Sequence, residues 1–379
     1  MNITPYLKLM ADKGASDLFF TTGAPVSMKI EGDTKAVGKS PLEPGIVKQI
    51  ANSIMTDEQK EEFAHELEMN LGMSLKGIGR YRINIYLQRG EVSMVIRYIK
   101  ADIPSMEQLT LPEKLKDIIL LKKGLILVVG STGSGKSTTL ASMIKHRSET
   151  VSGHILTIED PIEFAFTHSR SIIGQREVGL DTRSYSNALR EAMREAPDVI
   201  MIGEARDEET MKAALSYADT GHLCLTTLHA VNANQTLDRI LSFFGNESSD
   251  QILMDMSLNL KAIVSQRLIQ SRDGKRVAAI EILVNTPYIS ELIRKGEFGE
   301  IKEIMEKGAT EGMQTFDQSL YDLFKRGKID LKAALNNADS RSNLEWRINF
   351  GGEKEMGGNG SDSEEMDFPS SMDDLPDVN

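Results

Sequence analysis

Hydrophobic positions change their spacing along the chain, and each change marks a different kind of element. In the first hundred residues, 17–22 read as a strand, a hairpin turns near Gly32-Asp33, and 44–68 read as helical. Strict alternation follows in Tyr81-Arg82-Ile83-Asn84-Ile85-Tyr86-Leu87, and a turn at Arg89-Gly90 leads into Val92 to Ile99. That pattern predicts paired strands with one buried face, so Arg80, Arg82 and Arg97 project from a sheet. Residues 1–101 thus form a small α+β unit, and Pro104 and Pro112 punctuate a linker over 102–112 that is the hinge candidate.

Beyond the linker the alternation gives way to short runs that are apolar throughout: 125–129, 154–158, 198–202 and 223–228. Runs of this kind separated by helical stretches predict an α/β domain whose parallel sheet is covered on both faces. Past Gln266 the spacing becomes helical, at 287–295, 297–307 and 316–325, which predicts a helical cap on a domain that spans 113–347. The last residues, 348–379, are rich in Gly, Ser, Asp and Glu with few apolar anchors, so they read as a disordered acidic tail.

The run ending at Val129 leads directly into Gly130-Ser131-Thr132-Gly133-Ser134-Gly135-Lys136-Ser137-Thr138, which matches G-x-x-x-x-G-K-[ST] between a strand and a helix starting near Ser137. This is a P-loop in its proper setting. The glycines let backbone N–H groups close around polyphosphate oxygens, and the helix aims its positive end at them. Lys136 reaches the β- and γ-phosphates and Ser137 offers a hydroxyl to Mg²⁺. ATP and Mg²⁺ are therefore the expected ligands.

Charge narrows the partners. Of the formal net charge of −12, residues 351–379 supply −8 through nine acidic residues and one lysine, leaving −4 for the body. A nearly neutral body lacks the basic footprint of a protein that grips phosphate backbones, so no nucleic-acid partner is expected. The single cysteine, Cys224, excludes a disulfide frame and a four-cysteine zinc site. The amino terminus is broken by Lys8, Asp12 and Lys13, and no stretch approaches the ~18 uninterrupted apolar residues of a membrane span. The expectation is a cytoplasmic protein with no direct membrane span.

Ligands of open α/β sheets sit outside the carboxyl ends of the strands, so the polar residues that close each apolar run matter most. After 154–158 come Glu159, Asp160 and Glu163, any of which suits activation of a water for phosphoryl transfer. After 199–202 comes Glu204, an acid closing an apolar strand in the manner of Walker B, expected to face Mg²⁺ through water. The run 223–228 is flanked by His222 and His229, either of which is suited to sensing a γ-phosphate. Arg82 and Arg97 are suited to reach phosphate oxygens across a domain cleft as arginine fingers.

Walker A, an acidic box, an atypical Walker B and a histidine box, in this order, resemble the PilT/VirB11-like secretion and pilus ATPases over roughly residues 1–347. Gly14-Ala15-Ser16-Asp17-Leu18, Thr157-Ile158-Glu159-Asp160-Pro161-Ile162-Glu163-Phe164 and Gly221-His222 through Leu228-His229 point to the type IV pilus retraction branch. The resemblance implies a PAS-like domain before a RecA-like P-loop ATPase domain, assembled as a homo-oligomer, a hexamer. It implies Glu163 as catalytic carboxylate, Glu204 as the Walker B acid, His222 and His229 as nucleotide-state sensors, and Arg82 and Arg97 as fingers. A four-cysteine zinc insertion, usual in extension and type II secretion relatives, does not occur, which favours retraction. Where retraction ATPases carry A-I-R-N-L, this chain has Tyr288-Ile289-Ser290-Glu291-Leu292-Ile293-Arg294. That departure and the acidic tail resemble the PilU-like accessory branch. The implied partners are a PilT-like retraction ATPase and an inner-membrane pilus platform protein, with the chain held at the inner membrane face through that machinery. Two other expectations stay open: a nucleic-acid translocase with a RecA-like core, and a nucleotide-gated scaffold that hardly turns over.

Overall fold

The computed structural model describes residues 3–30, 32–245, 249–308 and 311–350; the acidic segment from Gly351 onward lies outside them. Six strands make an antiparallel sheet in the first lobe: β1 (Asp17–Phe20), β2 (Ser27–Ile30), β3 (Asp33–Ala36), β4 (Glu68–Leu75), β5 (Gly79–Gln88) and β6 (Glu91–Ile99), in the order β3-β2-β1-β6-β5-β4. The alternation read between Tyr81 and Leu87 places Tyr81, Ile83 and Ile85 in the core, with Leu18, Phe20, Met94 and Ile96 beside them. Leu7, Met10, Val47, Ile50 and Phe63 from helices Thr4–Asp12, Ile46–Ile54 and Asp57–Glu66 complete that core.

The helical stretch expected over 44–68 is two helices. Met55 is extended, and Thr56 and Gln59 form a reciprocal capping box that starts the second helix. Sequence reasoning missed β4, whose alternation of Met69, Leu71 and Met73 against polar residues marks a strand with one buried face.

The second lobe is a seven-stranded sheet: β7 (Gly124–Val129), β8 (Gly153–Glu159), β9 (Ser171–Glu177), β10 (Val199–Ile202), β11 (Leu223–Leu228), β12 (Leu260–Gln270) and β13 (Arg276–Val284). Their order is β13-β12-β7-β11-β10-β8-β9, parallel except for the β12–β13 pair. The unbroken apolar run of β7 has a simple cause. Leu125, Leu127 and Val129 enter the core on one face, and Ile126 and Val128 enter the core on the other.

The region past Gln266 differs from the helical reading. Before the helices Pro287–Lys295, Ile301–Lys307 and Phe316–Lys325, the chain makes the antiparallel β12–β13 hairpin along the sheet edge. Asp273-Gly274 at its tip is a hairpin turn signal, with Gly274 at φ 79°. The linker expectation also changes. Ile103, Met106 and Leu111 are buried against the second lobe, Lys145 Nζ donates to Ile103 O at 2.8 Å, and Lys100 bridges to Phe164. The segment 102–112 is therefore packed against that lobe.

Among the described residues no helix is long and apolar enough to cross a membrane. One buried carboxylate ties the sheet to a helix. Glu281 of β13 accepts from Ala233 N at the start of helix Ala233–Leu241 (2.8 Å) and from Ser265 Oγ (2.9 Å), and burial pushes its pKa up to about 7. A carboxyl whose folded pKa lies above its unfolded value gives stability that is full below about pH 4.5 and is lost as pH rises to about 7. Glu281 alone is expected to contribute a loss on the order of 3 kcal/mol across that range, so thermal melting of Glu281→Gln should show a smaller loss than the wild type. A pH dependence unchanged in the variant would contradict this.

Candidate active site

The P-loop geometry follows from its glycines. Gly130, Gly133 and Gly135 have φ of 154°, 78° and 90°. A Cβ on Gly130 would lie 2.5 Å from Gln266 O, and one on Gly135 would lie 2.7 Å from Gln266 Nε2. Only glycine fits both positions. The helix Lys136–Thr150 then begins directly at the loop, so its first amides face the cleft.

Lys136 Nζ donates to Gly130 O (2.8 Å) and Ser131 O (3.1 Å), curling back over the loop, and burial pushes its pKa down. Ser137 Oγ donates to Glu163 Oε1 at 3.0 Å, which brings the second P-loop residue and the acidic box together. Glu204 stands at the end of β10: its Oε2 accepts from Arg206 Nε (2.8 Å) and its Oε1 lies 3.1 Å from His229 Nε2. Thr132, Gly133, Lys136, Ser137, Glu163, Glu204 and His229 share one cleft of about 520 Å³.

Glu159 is the most perturbed acid here. It closes β8 in the same cleft, accepts from Thr157 Oγ1 (2.7 Å) and Gln175 Nε2 (3.3 Å), and burial pushes its pKa up to about 7. Nearby Glu163 is exposed and faces Ser137, and its charge adds to the upward push on Glu159.

Not every expected residue reaches this cleft. His222 does not: it precedes β11 at the amino end of the strand, where its carbonyl accepts from Gly124 N, the first residue of β7. His229 follows the carboxyl end, roughly 20 Å away along six strand residues. The two histidines that flank β11 therefore stand at its opposite ends, and His229 alone of the two lines the cleft. Arg82 and Arg97 are also absent from the cleft lining. Arg97 Nε pairs with Asp17 Oδ1 across the first sheet at 2.9 Å, and Arg82 Nε faces Glu177 Oε1 at 3.5 Å.

The hairpin unseen in the sequence supplies what was missed. Gln266 of β12 donates from Nε2 to Ser134 O (2.8 Å) and accepts from Thr139 Oγ1 (2.7 Å), locking the loop to its helix. Leu268 and Arg276 of the same hairpin line the cleft. Gln266→Leu leaves buried polar groups unpaired and is expected to cost roughly 1–3 kcal/mol in denaturant unfolding; an unchanged stability would contradict the lock.

Among the described residues no three or more His, Cys, Asp or Glu side chains are arranged to hold a metal. The donor set instead suits a cation that arrives with polyphosphate: a hydroxyl on Ser137, carboxylates on Glu163 and Glu204, and a lysine and amides for the anion.

The type II/IV secretion system protein family matches residues 3–322. The chain is 50% identical to the type IV pilus ATPase PilU of Pseudomonas aeruginosa, over 94% of this chain and 93% of that one. It is 40% identical to the type IV pilus retraction ATPase PilT of the same organism, over 91% of this chain and all of the relative. Among solved structures, the pilus retraction motor PilT with bound ADP matches with a TM-score of 0.83 and 40% identity, over 91% of this chain and 99% of that one. The Legionella pneumophila ATPase DotB matches with a TM-score of 0.74 and 27% identity, over 88% and 93%. With the P-loop cleft, the two-lobed fold and matches that run nearly end to end, the chain belongs to the type II/IV secretion system protein family of ATPases and is close to PilU and PilT.

Proposed function

We propose that this chain is an ATP-hydrolysing motor of the type IV pilus machinery that drives or assists pilus retraction in the manner of PilU, as a homohexamer working with a PilT-like retraction ATPase and an inner-membrane platform protein. The observation that carries the reading is the convergence of Lys136, Ser137, Glu163, Glu204 and His229 on one cleft. The 50% identity to PilU over nearly the whole chain supports the pilus assignment.

In this reading residues 130–138 cradle the triphosphate of ATP, and Lys136 exchanges its two loop carbonyls for phosphate oxygens. Mg²⁺ would be held by Ser137 directly and by Glu204 through water, where it offsets charge on the phosphate oxygens. Glu163 takes the proton of the attacking water, and His229, beside Glu204, senses the terminal phosphate. Glu159, buried with a raised pKa, supports the loop that carries Glu163. Arg82 and Arg97 are paired with Glu177 and Asp17, so either would act as a finger only if its pair opened. His222, at the far end of β11, would act on nucleotide only through a neighbouring subunit or through the strand.

The test is steady-state ATP hydrolysis by the purified full chain, alone and with a PilT-like ATPase. Turnover, raised by the partner, is expected. A protein that binds ATP but turns over in neither condition would be a nucleotide-gated scaffold, and stimulation by DNA would indicate a translocase.

A further inference from the structure

Glu177 uses its two carboxylate oxygens on two different parts of the molecule. It ends β9, its side chain has no solvent exposure, and Oε1 faces Arg82 Nε of β5 at 3.5 Å without another hydrogen-bond partner among the described residues. Oε2 accepts from Ile162 N at 3.3 Å, and Ile162 immediately precedes Glu163. Glu163 in turn accepts from Ser137 of the P-loop. A continuous line of contacts runs from the first lobe to the acidic box.

The surroundings keep that line together. Arg80 Nη2 lies 3.8 Å from Asp181 Oδ2, and Asp181 accepts from Glu177 N at 2.9 Å, so a second ion pair braces the turn after β9. Gly72, opposite Arg82 in the β4–β5 ladder, leaves its Cβ position 3.5 Å from Leu180 Cδ1. The first lobe thus rests directly on the turn that presents Glu177.

We infer that Glu177 is a positioning residue that couples the docking of the first lobe, through Arg82, to the placement of Glu163, through the amide of Ile162. The inference rests on the motor reading for its meaning in catalysis. A buried carboxylate stays ionised only with a compensating charge, and burial already pushes this one up while Arg82 opposes the shift. If the lobe moves and Arg82 leaves, the carboxylate is uncovered and water competes with the amide of Ile162 for its oxygens. The bond from Ile162 N, charge-assisted and sheltered while the lobe is docked, is then weakened. The loop holding Glu163 loosens when the lobe departs and tightens when it docks.

The test is amide hydrogen exchange in the full chain without nucleotide, read over 159–166, together with kcat and KM for ATP. Glu177→Gln, Arg82→Gln and the double variant are compared with the wild type. Each single variant is expected to speed exchange at Ile162 and its neighbours about tenfold, the worth of one charged hydrogen bond. The double variant should add nothing further, kcat should fall about as far, and KM should stay within about twofold. Exchange in β7 should not change. Unchanged exchange in both single variants, or fully additive losses in the double, would overturn the coupling. If Glu177→Gln does not fold, Arg82→Gln decides alone, since its side chain is partly exposed and surrenders no core packing. A wild type that hydrolyses no ATP would remove the motor reading, while the exchange data would still judge the link.

Discussion

Lys136→Ala is expected to bring ATP hydrolysis to background while leaving the protein folded. The Lys136 ammonium sits over the loop backbone. It is buried, its pKa is pushed down by that burial, and it is satisfied only by the carbonyls of Gly130 and Ser131. Those carbonyls are weak substitutes for a triphosphate, so the group is poised to exchange neutral acceptors for charged ones. Glu204 and Glu163 favour its charged form from across the cleft. Removing it takes away a preorganised cation at the place where charge develops, an effect of about 10²–10³ in kcat for a single such donor. Loss of phosphate binding adds to that. The glycine cradle and the Gln266 lock remain, so the melting temperature should shift little. Hydrolysis within a few-fold of wild type would remove Lys136 from the chemistry.

Glu163→Gln is expected to separate binding from turnover. The carboxylate is exposed and held only by the Ser137 hydroxyl, which makes it free to take a proton from water placed beside the terminal phosphate. Glutamine keeps the length and one oxygen for Ser137 but accepts no proton. A positioned general base contributes typically 10²–10⁴-fold, so kcat should fall by about that factor with nucleotide affinity preserved. Glu159 is the competing carboxylate, and its pKa of about 7 would make it an effective base. Its Oε1, however, is engaged by both Thr157 and Gln175, and the residue is almost wholly buried. If Glu163→Gln turns over normally and Glu159→Gln does not, the base is Glu159.

Much of the second lobe was legible because its physics is local. A parallel strand covered on both faces must be apolar throughout, and the acid or glycine that follows it must lie at the ligand edge, so Lys136, Glu204 and the cluster of Glu159, Asp160 and Glu163 could be placed there from spacing, while the choice of Glu163 came from the family resemblance. Which of the two histidines faces the cleft was not legible: flanking a strand puts a residue at either end, and only the carboxyl end, with His229, faces it. The β12–β13 hairpin was lost because Leu260–Gln270 carries apolar residues on both faces, and its Asp273-Gly274 turn was the available signal. Gln266 had no signal at all. Its role depends on a contact between residues 132 positions apart, that of Glu177 depends on the equally non-local Arg82, and periodicity does not register long-range pairs.

The whole account depends on triphosphate lodging against the loop at Lys136 in this chain. Titration calorimetry of the purified full chain with a non-hydrolysable ATP analogue and Mg²⁺ tests that most directly. Saturable binding at one site per chain, absent in Lys136→Ala, is the expected result; a folded wild-type protein that takes up no adenine nucleotide would contradict it.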